Sequence, residues 1–280
     1  MCKIPMSKTQ IDRLGDRLKG GPHTDVDLGL LENYRQSFGA AYEFVLQTIH
    51  QYGEFLTGRT KTTPSIVEKL GRESLRLSQM QDIAGCRMVV ISILDQDRFT
   101  EKLKHSFPNS TVFDRRQKSS HGYRAVHVIV EISGKPIEVQ VRTTLQHSWA
   151  EVSEKASDLI DPDIKYGGGP QSLRTILQTI SDLVSLYEEW NSEFLKSRQY
   201  TQLTYNDFVI IKKNLAELAE PNDRAHQEEM RAMELLARRW EPFEEQDKEI
   251  QRILEQLPNE IRQKMTRVHN RLVKLGRQKP

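Results

Sequence analysis

The sequence predicts an α+β fold, a small mixed β-sheet flanked by helices and followed by a helical C-terminal region. Three observations carry this expectation. Short β-branched runs are confined to residues 86–142, apolar residues recur at helical spacing ahead of them, and the chain after Thr143 returns to a helical period. Strands gathered in one stretch between helical stretches argue for one modest sheet.

Taken in order, residues 1–23 read as a polar segment ending at Gly20-Gly21-Pro22, and Thr24 and Asp25 suit a helix cap. Leu30, Tyr34, Phe38, Ala41, Val45 and Ile49 share a helical face, which predicts one long amphipathic helix. Residues 57–63 form a polar, basic connection, and Pro64 suits the first turn of a helix reaching about Leu77. Residues 86–93 have the Val, Ile and Met content of a buried strand. Residues 99–107 read as a helix and 111–113 as a short strand. Residues 123–132 and 136–142 are β-branched runs split by Ser133-Gly134-Lys135, a hairpin signal.

Beyond Thr143, residues 145–159 predict a helix, and Gly167-Gly168-Gly169-Pro170 interrupts the chain. Leu173, Ile176, Ile180, Leu183 and Tyr187 mark a long helix. Residues 207–218, 224–256 and 258–275 complete the helical region. The expected organisation is a polar segment at 1–23, a core at 24–160, and a helical region at 161–280 that packs on or extends the core. Met230, Met233, Leu236, Trp240 and Phe243 read as packing surface that also suits burial of a partner.

Composition excludes several classes. With 37% hydrophobic and 29% charged residues, the 280-residue chain is charge-rich, and no apolar run nears the roughly 20 residues of a membrane span. Its N-terminus lacks the apolar stretch of a secretory signal, and Cys2 and Cys86 make neither a disulfide framework nor a metal-ligand spacing. A cytoplasmic setting is expected. The net charge of +2 says little about partners, but basic residues cluster at 98–124 and 259–280. Such clusters gather phosphates or form solvated faces.

Four segments hold the chemistry. In the first, Arg59 and Lys61 lie on a connection, and Ser65 and Lys69 share a helical face at i, i+4. Cations entering a helix N-terminus suit a polyphosphate; a solvated basic turn has the same composition. In the second, Asp82 precedes an apolar strand and Arg87 follows. A carboxylate there suits Mg²⁺, or a turn cap ion-paired to Arg87. In the third, Tyr123 and His127 fall on one strand face, where a ring can stack on a base or be buried structurally. In the fourth, Glu138, Gln140 and Arg142 alternate with Ile137, Val139 and Val141. This is the pattern of an exposed sheet face, or of a cleft in which Glu138 and Asp82 converge on one metal.

Together these segments resemble the RelA/SpoT synthetase family, especially its small stand-alone members, over roughly residues 40–160. The resemblance rests on Arg59, Lys61, Ser65 and Lys69; on Asp82 and Arg87; on Gly122, Tyr123 and His127; and on Glu138, Gln140, Arg142 and Thr143. It implies a nucleotidyltransferase-like sheet and transfer of the β,γ-pyrophosphate of ATP to the ribose 3′-hydroxyl of GDP or GTP, giving (p)ppGpp-type alarmones. By the same resemblance Arg59 and Arg87 clamp adenine, and Lys61, Ser65 and Lys69 hold phosphates. Asp82 and Glu138 position Mg²⁺, with Glu138 assisting deprotonation of the hydroxyl. Tyr123 stacks on the acceptor base with His127 and Gln140 nearby. The family's hydrolase His-Asp motif is not found, which implies synthesis without degradation.

Two positions depart from the family pattern. A lysine common before the tyrosine has no match at Ser119, leaving Lys118, Arg116 or Arg115 as substitutes, and His147 stands where small synthetases often carry Asn. Both departures fall on the acceptor side. With Lys165-Tyr166-Gly167-Gly168-Gly169, they resemble toxic small synthetases that modify the 3′ end of tRNA. That reading brings tRNA, an antitoxin and an oligomer into view as partners, and the basic segments suit a tRNA backbone. Alternatively, the glycines simply end a helix. A third reading is an inactive nucleotide- or RNA-binding module.

Overall fold

The computed structural model describes residues 6–52, 56–218, 248 and 250–274, with residues 198–218 described as backbone. Two compact units divide the chain, Met1–Ala150 and Glu151–Pro280.

The first unit opens with α1 (Lys8–Lys19), inside the stretch expected to be a polar segment. Ser7 and Gln10 form a reciprocal capping box, and Ile11, Leu14 and Leu18 on one face are buried. The expected long helix is two, α2 (Asp25–Gln36) and α3 (Gly39–His50). At the break the Ser37 hydroxyl donates to the Tyr34 carbonyl at 2.6 Å, and the Phe38 N–H reaches only as far back as Arg35. This tightened bonding ends α2. The apolar face survives across the break, because Tyr34, Phe38, Ala41, Val45 and Ile49 are all buried.

The connection expected at 57–63 is largely a strand. β1 (Leu56–Thr60) leads into α4 (Thr63–Arg72), which stops short of the expected Leu77; residues 77–79 form a separate 3₁₀ turn. β2 (Ala84–Val90), α5 (Ile93–Ser106), β3 (Thr111–Asp114), β4 (Val126–Ile132) and β5 (Lys135–Thr143) follow. Their strand order is β1-β2-β5-β4-β3, with β2 and β5 parallel and the other pairs antiparallel. The expected hairpin forms through Ser133 and Gly134, both at positive φ, which matches the twist of the paired strands.

Alternation gives the sheet two unlike faces. Ala84, Cys86 and Met88 join Ile137, Val139, Val141, Val126, Val128 and Val130 in one core cluster with α3 and α5 residues such as Val45, Ile49, Phe99 and Leu103. The opposite face carries Arg59, Arg87, His127, Glu138, Gln140 and Arg142, placed there by register and by the two-residue period.

α6 (Thr144–Leu159) runs directly from β5 across the boundary between the units. In the second unit, Pro162–Tyr166 form a 3₁₀ turn that Gly167 ends at φ 85°, its N–H bonding back to the Asp163 and Ile164 carbonyls. Gly167, first of the glycine triplet, therefore ends this turn. α7 (Gln171–Leu218) continues through residue 207, where a separate helix was expected. Residues 250–274 are helical through Pro258, and the Tyr187 hydroxyl donates to the Leu254 carbonyl at 3.1 Å. Most of the expected helix at 224–256, with its methionine and tryptophan series, lies outside the described residues.

Candidate active site

Every expected site residue lies in the first unit. The N-cap of α4 is Thr62, whose Oγ1 accepts the Ser65 N–H at 3.3 Å and donates to Ser65 Oγ at 2.9 Å. Lys61 sits just past β1, and its N–H bonds the Ile83 carbonyl at 2.9 Å, so the β1–β2 pairing extends to the site. Lys69 lies one turn beyond Ser65. Both lysines converge on Asp82, with Lys61 Nζ 3.0 Å and Lys69 Nζ 2.9 Å from the same Oδ2. Asp82 Oδ1 is buried without a hydrogen-bond partner. Burial pushes the Asp82 carboxyl up, but the two lysines outweigh it and hold the group below the usual carboxylate range. These lysines, rather than Arg87, are the ion-pair partners of Asp82.

Arg59 and Arg87 come together through strand register. Arg59 lies opposite Gly85 on β1, not on a loop, and Arg87 is two residues further along the same face of β2. Gly85 is forced by close approach, because a Cβ there would sit 2.4 Å from the Glu138 carbonyl oxygen of the neighbouring strand. Gly85→Ala is expected to wedge β2 from β5 and cost about 1–3 kcal/mol. Urea unfolding reads this directly, and an unchanged midpoint would contradict the packing.

Tyr123 precedes β4, in a turn through His121 and Gly122 at positive φ. It reaches His127 from that turn, not by alternation along a strand. The Tyr123 hydroxyl lies 2.8 Å from His127 Nε2, and His127 Nδ1 lies 2.8 Å from Glu138 Oε1. Gln140 Nε2 donates to Glu138 Oε2 at 2.7 Å. Burial pushes the Glu138 carboxyl up, yet the His127 and Gln140 contacts hold it below the usual range. The Asp82 charge opposes them, so the two carboxylates feel each other.

Sequence reasoning put Arg142 on the Glu138 face but gave it no role. It is 2% exposed and donates through Nη2 to the Tyr123 hydroxyl at 2.9 Å and to Gln140 Oε1 at 3.1 Å. Its place on the Glu138–Gln140 face was the available signal. His147, on the first turn of α6, is half-buried. Of the three expected substitutes for the missing lysine, Arg116 is engaged by Asp97 at 2.7 Å and Asp114 at 2.6 Å, whereas Arg115 and Lys118 are exposed.

No cluster of three or more His, Cys, Asp or Glu that could hold a metal occurs among the described residues. Mg²⁺ needs less, since one or two carboxylates suffice when phosphates and water complete its octahedron. Asp82 Oδ1, ionised, buried and unbonded, fits that requirement, with Glu138 within electrostatic reach.

Residues 58–157 match the region found in RelA and SpoT proteins, a stretch that holds every expected site residue from Arg59 to His147. The chain is 29% identical over 183 residues to the GTP pyrophosphokinase YjbM of Bacillus subtilis, covering 58% of this chain and 83% of that protein. It is 30% identical over 144 residues to an uncharacterised protein of Mycobacterium tuberculosis, covering 49% of this chain and 53% of the relative. The crystal structure of small alarmone synthetase 1 from Bacillus subtilis aligns along its whole length with 63% of this chain, at 27% identity and a TM-score of 0.47.

Proposed function

We propose that this chain, whose residues 58–157 match the region found in RelA and SpoT proteins, transfers the β,γ-pyrophosphate of ATP to the ribose 3′-hydroxyl of GDP or GTP, a cytoplasmic reaction. The supporting observation is the pair of depressed carboxylates, Asp82 at the entrance to β2 and Glu138 on the polar face of β5. Asp82 is ringed by lysines and keeps one unbonded oxygen, and Glu138 has both oxygens oriented by donors.

Each group has a role that its surroundings allow. Arg59 and Arg87 are diagonal neighbours, and such neighbours lie about 7–8 Å apart, the spacing of two planar groups with a base between them. Lys61, Ser65, Lys69 and the N-terminus of α4 receive the triphosphate. Asp82 and Glu138 would hold Mg²⁺, which when bound neutralises charge developing on the phosphate oxygens. Tyr123 offers its ring to the acceptor base. Glu138, held ionised, accepts a hydrogen bond from the 3′-hydroxyl, aligns it, and takes its proton as the bond to the β-phosphorus forms and the bond from that phosphorus to the α,β-bridging oxygen breaks, releasing AMP.

The test supplies the purified chain with γ-labelled ATP and Mg²⁺, in separate reactions with GDP, GTP and tRNA. Label on the guanine nucleotide is expected. Label on tRNA alone would assign a different acceptor, and label on none would leave a binding module; either result overturns the proposal.

A further inference from the structure

The hydrogen bonds around Glu138 close into a ring that begins and ends on one nitrogen. Arg142 Nη2 donates to the Tyr123 hydroxyl at 2.9 Å and to Gln140 Oε1 at 3.1 Å. One chain continues from Tyr123 to His127 Nε2 at 2.8 Å and from His127 Nδ1 to Glu138 Oε1 at 2.8 Å. The other continues from Gln140 Nε2 to Glu138 Oε2 at 2.7 Å. Both oxygens of the carboxylate are therefore tied to the same guanidinium.

The direction of every bond in the ring follows from its two ends. A guanidinium only donates and a carboxylate only accepts, so Tyr123 and Gln140 accept from Arg142 while His127 Nδ1 and Gln140 Nε2 donate to Glu138, and a singly protonated His127 then leaves Nε2 to accept from the Tyr123 hydroxyl. Tyr123 passes its proton towards His127 Nε2, His127 carries its own on Nδ1, and Gln140 turns its amide nitrogen to Glu138. All the bonds polarise in one sense, which strengthens each of them. Arg142 is fully buried, its Nε and Nη1 have no hydrogen-bond partner, and no carboxylate pairs with it among the described residues. A buried cation without a direct counter-ion is costly. Here its counter-charge is Glu138, reached through the Tyr123–His127 and Gln140 bridges. The guanidinium also lies over the Tyr123 ring, 4.9 Å from its centroid.

We infer that Arg142 and the Tyr123 hydroxyl are positioning residues for Glu138, coupling the ring that receives the acceptor base to the carboxylate that aligns its 3′-hydroxyl. The inference rests on the pyrophosphate-transfer reading above. A base seated on Tyr123 presses on a link of the ring, so acceptor binding and carboxylate alignment are one event. Stacking uses the aromatic ring and alignment uses the hydroxyl, so the two can be separated by mutation.

Tyr123→Phe keeps the ring and cuts one chain. In the full-length protein it is expected to hold GDP affinity within about twofold and lower kcat by about tenfold or more, the scale of a misplaced catalytic group. Loss of GDP affinity with kcat unchanged, or no loss of either, overturns the inference. A second measurement does not depend on turnover. The imidazole nitrogen resonances of His127 in the wild-type protein should show the proton on Nδ1, and a proton on Nε2 overturns the ring. A wild-type chain that transfers nothing defeats the reading of the reaction, while the position of this proton still decides the ring.

Discussion

Asp82→Asn is expected to reduce pyrophosphate transfer by about a thousandfold, equivalent to about 4 kcal/mol of transition-state stabilisation. Asn has the shape of Asp without its charge, so the backbone and the entrance to β2 are preserved. What changes is the centre of the cation cluster. Lys61 and Lys69 both bond Oδ2, and without the carboxylate they face each other with no anion between them. They remain available to a triphosphate, so ATP affinity should fall far less than kcat. Calorimetric titration with ATP beside single-turnover transfer separates the two, and a rate within tenfold of wild type would contradict the role of Asp82. The same substitution has a signature in acid. The folded Asp82 carboxyl is depressed, so its stabilising contribution is present above the ordinary carboxylate pKa of about 4 and is lost as pH falls through the lower folded value. Urea midpoints measured at pH 5 and pH 3 should therefore differ less in Asp82→Asn than in the wild-type protein. An equal difference would show that the pair with the lysines contributes nothing to folding.

Glu138→Gln is expected to abolish transfer to at least the same extent and, unlike Asp82→Asn, to disturb its own surroundings. His127 Nδ1 and Gln140 Nε2 both donate to Glu138. A glutamine offers one accepting oxygen and one donating nitrogen, so one of these donors must face another donor. Turning Gln140 over would set its nitrogen against the Arg142 guanidinium, and moving the His127 proton to Nε2 would make the Tyr123 hydroxyl accept from both His127 and Arg142 and turn its own proton out of the ring. Either adjustment leaves one donor without its wild-type partner. A stability loss of about 1–3 kcal/mol should accompany the loss of rate, the cost of one buried unsatisfied polar group. Denaturant unfolding alongside the transfer assay checks both, and full activity with unchanged stability would contradict the geometry.

Much of the site was legible because it is written in short, local spacings. The alternation of Glu138, Gln140 and Arg142 states which residues share a face, and Ser65 with Lys69 states the same for a helix turn. The hairpin at Ser133-Gly134 was readable from its turn residues. β1 was not, because an edge strand with four of its five residues exposed has no apolar alternation to mark it. The break between α2 and α3 was hidden because the apolar spacing runs straight through it, while the cause is a local serine hydrogen bond. α1 carried a readable signal in Ser7 and Gln10, but the polar residues around Ile11, Leu14 and Leu18 masked it. Arg142 could be placed on a face but not weighed. Its importance depends on burial and on a turn that brings Tyr123 to it, and neither is a property of spacing. The partners of Asp82 are likewise tertiary, since Lys61 and Lys69 reach it from β1 and α4.

The most direct test of the central claim is the fate of ATP. With Mg²⁺ and GDP or GTP, the purified chain should release AMP in equal number to the guanosine nucleotide that gains a 3′-pyrophosphate, with label from both the β and γ positions carried across. Release of ADP with transfer of the γ label alone would show a simple phosphoryl transfer and contradict the account.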